Sequence, residues 1–316
     1  MVAAVFVVFE LARPEVVRLV RIDSGAGVRT YLSPRIGLSR TINLIDAAKP
    51  GVSYQRDDGG FCDRGIVREE IALAANLQTA LVTGAGSGIG RSIATSLAEM
   101  GLRVALVGRD REKLERTRAD MTTGRDSAFV APCDISDRFA VKSLIDQIEA
   151  AFASIDVLVS NAGTNVKNRS LESLDPVDWD RMIATNLTGS FNLVHYVLPS
   201  MRRRKNGLVI QICSVSGLRA STLGGVGYSA SKFGQSALGI CLGREEGAHG
   251  IRSSLIYPGE VETPILDARP IPVGAERRSV ILQPDDIAAA VKFLVELHPR
   301  AHIPELVITP TVDDYF

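Results

Sequence analysis

Tyr228-Ser229-Ala230-Ser231-Lys232 sets a phenol and an ammonium four positions apart, a spacing that brings both to one face of a helix. A phenol with an ordinary pKa near ~10 is a poor acid or base at neutral pH, and an adjacent ammonium lowers that pKa by stabilising the phenolate. Proton transfer is most efficient when the pKa lies close to the working pH, so the pair suits acid–base chemistry on an oxygen atom. No second Tyr-x-x-x-Lys pair occurs in the chain; the plainer reading is a surface tyrosine beside a lysine. Upstream, Ile212-Cys213-Ser214-Val215-Ser216-Gly217 closes an apolar run with two hydroxyls. Either Ser214 or Ser216 can hydrogen-bond a substrate oxygen.

A second pattern, Thr83-Gly84-Ala85-Gly86-Ser87-Gly88-Ile89-Gly90, lies between a short apolar run and a helical one. Glycines let the backbone turn sharply and approach a pyrophosphate, and a helix N-terminus offers unpaired N–H groups to its charge. The spacing is GxxxGxG, not GxGxxG. The strand before and the helix after favour a nucleotide cradle over a mere turn. The next apolar run ends in Val107-Gly108-Arg109-Asp110. An acidic residue at such a place bonds the ribose 2′-hydroxyl of NAD, whereas an Arg accommodates the 2′-phosphate of NADP. Arg109 comes first and Asp110 stands where it can cap the following helix, so NADP(H) is favoured, with NAD(H) as the other option. Arg109 as a solvated surface charge is the alternative.

Together these residues resemble the short-chain dehydrogenase/reductase family, in the branch built around TGxxxGIG and YxxxK, from about Leu77 to the C-terminus. Thr83, Gly84, Ser87, Gly88, Ile89 and Gly90 are similar to its cofactor loop, and Asp134 with Ile135 to its adenine side. Asn161-Ala162-Gly163 resembles the NNAG turn, with Ser160 in place of the first Asn. Pro258-Gly259, with Val261 and Thr263, resembles the turn beside the nicotinamide. The resemblance implies roles. Ser214 polarises the carbonyl, and Tyr228 donates or accepts its proton. Lys232 binds the nicotinamide ribose and depresses the tyrosine pKa, while Asn186 links Lys232 to solvent through water. Glu260 departs from the family pattern; it either touches substrate or pairs with arginines of the following loop. The implied activity is hydride transfer between nicotinamide and a small-molecule carbonyl or secondary alcohol. The other readings are a nucleotide-sensing Rossmann protein without turnover, which should have lost part of the Ser–Tyr–Lys–Asn set, and an NAD-retaining epimerase or dehydratase.

These residues need a scaffold, and from Leu77 onward β-rich runs alternate with amphipathic stretches. Candidate strands are Thr79–Thr83, Arg103–Val107, Ala128–Ala131, Asp156–Ser160, Gly207–Ile212, Arg252–Tyr257 and Glu305–Ile308; helical patterns include Arg111–Met121, Asp137–Phe152, Pro176–Arg203, Tyr228–Glu246 and Pro284–Leu297. Such alternation predicts a single α/β domain with a Rossmann-type, doubly wound parallel sheet of about seven strands, residues 77–316. Ligands then sit at the carboxyl ends of the strands, near the point where strand order reverses. The helices Pro176–Arg203 and Tyr228–Glu246 are apolar on more than one face and predict a homodimer or homotetramer.

Residues 1–76 read differently. Pro14, Pro34, Pro50 and Gly59–Gly60 break the stretch, and no supersecondary pattern emerges. With nine Arg, one Lys and nine acidic residues it is no mitochondrial presequence. It reads as an extension, poorly ordered or accessory. Across the 316 residues, 36 basic and 36 acidic side chains give zero formal net charge, which argues against nucleic-acid or polybasic membrane partners. No apolar run is long enough to span a bilayer. The expected location is the cytoplasm, with Cys62, Cys133, Cys213 and Cys241 as buried free thiols. The four histidines are dispersed, so no metal site is expected. The Arg202-Arg203-Arg204-Lys205 run is expected to complement a helix dipole in solvent.

Overall fold

The runs at Thr79–Thr83, Val157–Ser160 and Gly207–Ile212 are mostly apolar and buried along their whole length, the pattern of parallel strands covered on both faces. A computed structural model of the chain describes residues 77–313, together with the backbone of five short strands nearer the start. It divides into two units, Met1–Val67 and Arg68–Phe316. In the first, Val5–Glu10, Val17–Asp23 and Gly27–Leu32 pair antiparallel in that order, and Tyr54–Gln55 pairs with Phe61–Cys62. These strands are rich in Val, Phe and Tyr, whose strand propensity outweighs the missing long period. The breaks at Pro14, Pro34, Pro50 and Gly59–Gly60 lie outside the described residues.

In the second unit seven strands form one parallel sheet: β1 (Thr79–Thr83), β2 (Arg103–Gly108), β3 (Phe129–Pro132), β4 (Val157–Ser160), β5 (Gly207–Ile212), β6 (Ile251–Pro258) and β7 (Glu305–Ile308). Their order is β3-β2-β1-β4-β5-β6-β7, so direction of winding reverses between β1 and β4, as in a Rossmann-type fold. Period-two alternation sends Val82, Leu106, Val159 and Ile210 to one face and Leu81, Val107, Leu158 and Val209 to the other. The first face is covered by α1 (Gly88–Glu99), α2 (Arg111–Asp120) and a C-terminal helix, Pro284–Glu296. The second takes α3 (Arg138–Phe152) and the helices that run through Leu193–Met201 and Leu242.

Two features depart from expectation. The stretch read as one helix is α4 (Pro176–Met182), a π-helical turn over Ile183–Thr188, and α5 (Gly189–Arg204). The arginines at its end are cross-links as well as dipole partners. Arg202 pairs through Nε with Glu246 Oε2 at 2.7 Å, and Arg204 Nη2 donates to the Ile155 carbonyl at 2.8 Å. Glu246 ends α6 (Val226–Glu246), which carries the Tyr–Lys pair. At the foot of the sheet the buried Asp156 carboxylate accepts the amides of Gln78 at 2.9 Å and Thr79 at 3.1 Å, and the Thr79 hydroxyl at 2.9 Å. It thereby fixes the start of β1 against β4. Among the described residues no helix is long and apolar enough to cross a membrane. Of the thiols, Cys213 is buried and Cys133 half-buried, but Cys241 on α6 is exposed, which corrects the expectation of burial; the Cys62 side chain lies outside the described residues.

Candidate active site

The Gly-rich loop leaves β1 by a turn that only glycine fits closely. Gly84 has φ +67° and Gly88 φ +49°, a region that side chains disfavour. A Cβ on Gly90 would stand 2.3 Å from the Gly84 carbonyl oxygen, so the helix start and the loop touch backbone to backbone. Ser87, the N-cap of α1, makes no side-chain cap bond, and no acidic residue lies in the first turn. Those first N–H groups fit a pyrophosphate. Beneath them the Thr83 hydroxyl accepts the amides of Asn161 at 2.9 Å and Ala162 at 3.0 Å, while Asn161 Nδ2 donates to the Thr83 carbonyl at 2.8 Å. The Asn161-Ala162-Gly163 turn is thus pinned to the loop.

Ser214 lies two residues past β5 and caps a short 3-10 turn, Val215–Gly217, its hydroxyl accepting the Ser216 amide at 3.1 Å. That hydroxyl also hydrogen-bonds the Tyr228 phenol, which lowers the phenol pKa, but burial dominates and pushes it up to about 12. Lys232 Nζ lies 5.7 Å from the Tyr228 ring centre. Lys232 is itself buried, which lowers its own pKa. Its ammonium donates to the Ile212 carbonyl at 3.0 Å and to Gln235 Oε1 at 2.8 Å, leaving one of three N–H donors for a ribose hydroxyl.

Asn186 sits in the π turn, fully buried; such turns recur at functional sites. Its side chain accepts the Thr164 amide at 2.8 Å and donates to the Thr164 carbonyl at 3.0 Å and the Ser231 hydroxyl at 2.9 Å. Its carbonyl accepts the Ser190 hydroxyl at 2.8 Å, and Ser190 in turn accepts Gln235 Nε2 at 3.2 Å. A direct chain therefore runs from Lys232 through Gln235 and Ser190 to Asn186. Sequence reasoning missed Gln235 and Ser190, although Gln235 lies three positions after Lys232, on the same helix face.

Gly84, Ser87, Gly88, Ile89, Asn161, Ala162, Gly163, Ser214, Tyr228, Lys232, Pro258, Gly259, Val261 and Thr263 line one cleft of about 830 Å³. Thr83, Gly90, Ile135 and Asn186 lie buried behind it. Arg109 and Asp134 stand on the same carboxyl edge of the sheet but outside the lining. Arg109 is exposed. Burial raises the Asp134 carboxyl, yet hydrogen bonds from Ser136 and the Arg109 charge outweigh it and hold the group below its usual range. Asp110 caps α2 through the Lys113 amide at 3.2 Å. Glu260 takes the second of its two readings. It binds Arg269 Nη1 at 2.6 Å and Arg277 Nε at 2.8 Å.

The sequence profile described as short chain dehydrogenase matches residues 78–271. The chain belongs to the short chain dehydrogenase family. It is accordingly an NAD(P)-dependent oxidoreductase acting on CH–OH groups. Among its relatives is a fatty acyl-CoA reductase of Acinetobacter baylyi, 34% identical over 224 residues, 71% of this chain and 74% of the relative. A metagenomic short-chain oxidoreductase in complex with NADP is 33% identical with a TM-score of 0.64, covering 75% of this chain and 98% of the other. A 3-ketoacyl-(acyl-carrier-protein) reductase from Brucella melitensis, complexed with NADH, is 27% identical with a TM-score of 0.67, covering 73% and 96%.

Proposed function

We propose that this dehydrogenase prefers NADP(H) and interconverts a small-molecule carbonyl and its secondary alcohol through Ser214, Tyr228, Lys232 and Asn186. The observation that carries the reading is the lining of one cleft, in which Ser214, Tyr228 and Lys232 meet the Gly-rich loop. Two hydroxyls so placed can hold one substrate oxygen between them. Ser214 orients and polarises that oxygen, and Tyr228 gives it a proton in reduction or takes one in oxidation. Lys232 holds the ribose through its remaining donor. The Gln235–Ser190–Asn186 chain fixes the ammonium and ties it to the π turn. Bound along the loop and the Asn161–Gly163 turn, the nicotinamide cofactor supplies or accepts the hydride.

NADP(H) is preferred on the strength of Arg109 at the end of β2, with Asp110 occupied as a cap; the relatives' complexes with NADP and NADH keep NAD(H) as the second option. A nucleotide-sensing role is disfavoured because all four working residues are present. We also propose a cytoplasmic homodimer or homotetramer, since Phe191 of α5 and Phe233 of α6 are both exposed on the two helices read as an interface.

A panel of ketones, aldehydes and secondary alcohols with both cofactors tests the reading. Tyr228→Phe is expected to lose roughly 10²–10⁴-fold in turnover while cofactor affinity stays within about three-fold. Fluorescence titration should show tighter NADPH than NADH binding, and Arg109→Ala should remove about 1.5–3 kcal/mol of that difference. Retained turnover in the Phe variant would overturn the mechanism.

A further inference from the structure

The lining of the cleft is uneven in charge. Arg169, Arg219, Lys232, Arg269 and Arg277 face Glu260 and Asp313, its only carboxylates among the described residues. The Gly-rich loop contributes no cation to the lining; the arginines come from the segments that follow β4, β5 and β6, Arg277 from the short helix Ala275–Val280. Arg269 and Arg277 are already paired, both with Glu260 and the second also with Asp313.

Arg169 is different. It is 6% exposed, and among the described residues no carboxylate pairs with it. Its Nε donates to the Val166 carbonyl at 2.8 Å, Nη1 to the Leu223 carbonyl at 2.8 Å and Nη2 to the Ala268 carbonyl at 2.5 Å. Three carbonyls of three loops orient the guanidinium without neutralising it, and two of its five N–H donors remain. A buried cation is costly unless a counter-charge completes it. Its charge also reaches the Tyr228 phenol, so the unpaired guanidinium and the proton donor share one end of the cleft.

We propose that Arg169 is a specificity-determining residue that binds a carboxylate on the substrate, so that the natural substrates are oxo acids and the corresponding hydroxy acids. This rests on the carbonyl–alcohol activity proposed above. The guanidinium is held in place before substrate arrives, so the pair forms without reorganisation, and a planar fork suits a carboxylate bidentately. A neutral ester of the same oxo acid keeps the reacting carbonyl but leaves Arg169 unpaired.

The test compares 2-, 3- and 4-oxo acids with their ethyl esters, alongside neutral ketones, in the full-length protein with NADPH. The best acid is expected to exceed its ester at least 10-fold in kcat/KM. Arg169→Met should lower kcat/KM for that acid at least 30-fold and for its ester less than 3-fold, and Arg169→Lys should restore part of the loss. Equal loss for acid and ester would make Arg169 only a clasp for the loops and overturn the proposal. Should Arg169→Met fail to fold, wild-type preference decides. Esters or neutral ketones reduced as well as the acids, in a Tyr228-dependent reaction, would sink this inference and leave the activity standing. Silence of the whole panel would overturn both.

Discussion

Tyr228 keeps its proton in the free cleft, where burial pushes the phenol up to about 12 despite the Ser214 bond and the Arg169 charge. The sign matters for direction. A phenol whose pKa lies above the assay pH is a loaded acid, so carbonyl reduction finds its proton in place across the neutral range. Alcohol oxidation needs the phenolate, whose fraction grows about tenfold per pH unit below the pKa. The oxidation rate at saturating cofactor is therefore expected to climb with pH between roughly 7 and 9, with reduction nearly flat there; an oxidation profile level over that interval would show that the bound cofactor lowers the phenol much further. The Tyr–Lys spacing and the serine after β5 were legible because they are local: four positions on a helix, or one step past an apolar run. The raised phenol was not, since the loops that bury it lie far off in sequence. Glu260 had two readings for the same reason; only folding brings Arg269 and Arg277 to it.

The strands were legible as elements because doubly covered parallel strands are written as near-continuous apolar runs. Thr79–Thr83 and Gly207–Ile212 fall where they were read, and so does Glu305–Ile308, an edge strand with alternate residues exposed. The π turn was not legible: Ile183–Thr188 continues the apolar register of the helices on either side, and one extra residue per turn leaves no mark in composition. The short helix Ala275–Val280 was missed because six residues, four of them polar, carry no period. At this scale the tightest constraint is where α1 starts on its loop. Gly90→Ala would drive a methyl group into the Gly84 carbonyl and Asn161 Nδ2, 2.3 and 2.5 Å away. The first is backbone, and the second is held by its bond to the Thr83 carbonyl. Overpacking of this kind costs about 1–3 kcal/mol, so the variant is expected to unfold at lower temperature and to bind NADPH at least tenfold more weakly. Unchanged affinity would mean that the loop adjusts freely.

For the molecule as a whole, among the described residues every one that lines the cleft lies at or beyond Gly84, and the first backbone group held at the sheet's foot is the Gln78 amide. We therefore propose that residues 1–76 are dispensable for chemistry. A chain begun a few residues before Leu77 should bind NADPH, turn over like the full chain and sediment as a dimer or tetramer at micromolar concentration. An insoluble or inactive truncation would move that boundary, and a monomer would remove the proposed interface. Asp156, which joins β1 to β4 across 78 residues of chain, carries a consequence in time. Closing so long a segment is entropically expensive and comes after the local βα units have formed, so its bonds belong to the late side of the folding barrier. Interactions absent from the transition state set the lifetime of the native form. Asp156→Ala strips partners from buried donors at about 1–3 kcal/mol. In stopped-flow denaturant jumps it should speed unfolding about tenfold or more while refolding changes less than about threefold; the opposite split would place the clip in the nucleus. If the first split is observed, a single carboxylate at the foot of the sheet decides how long each folded copy survives between openings.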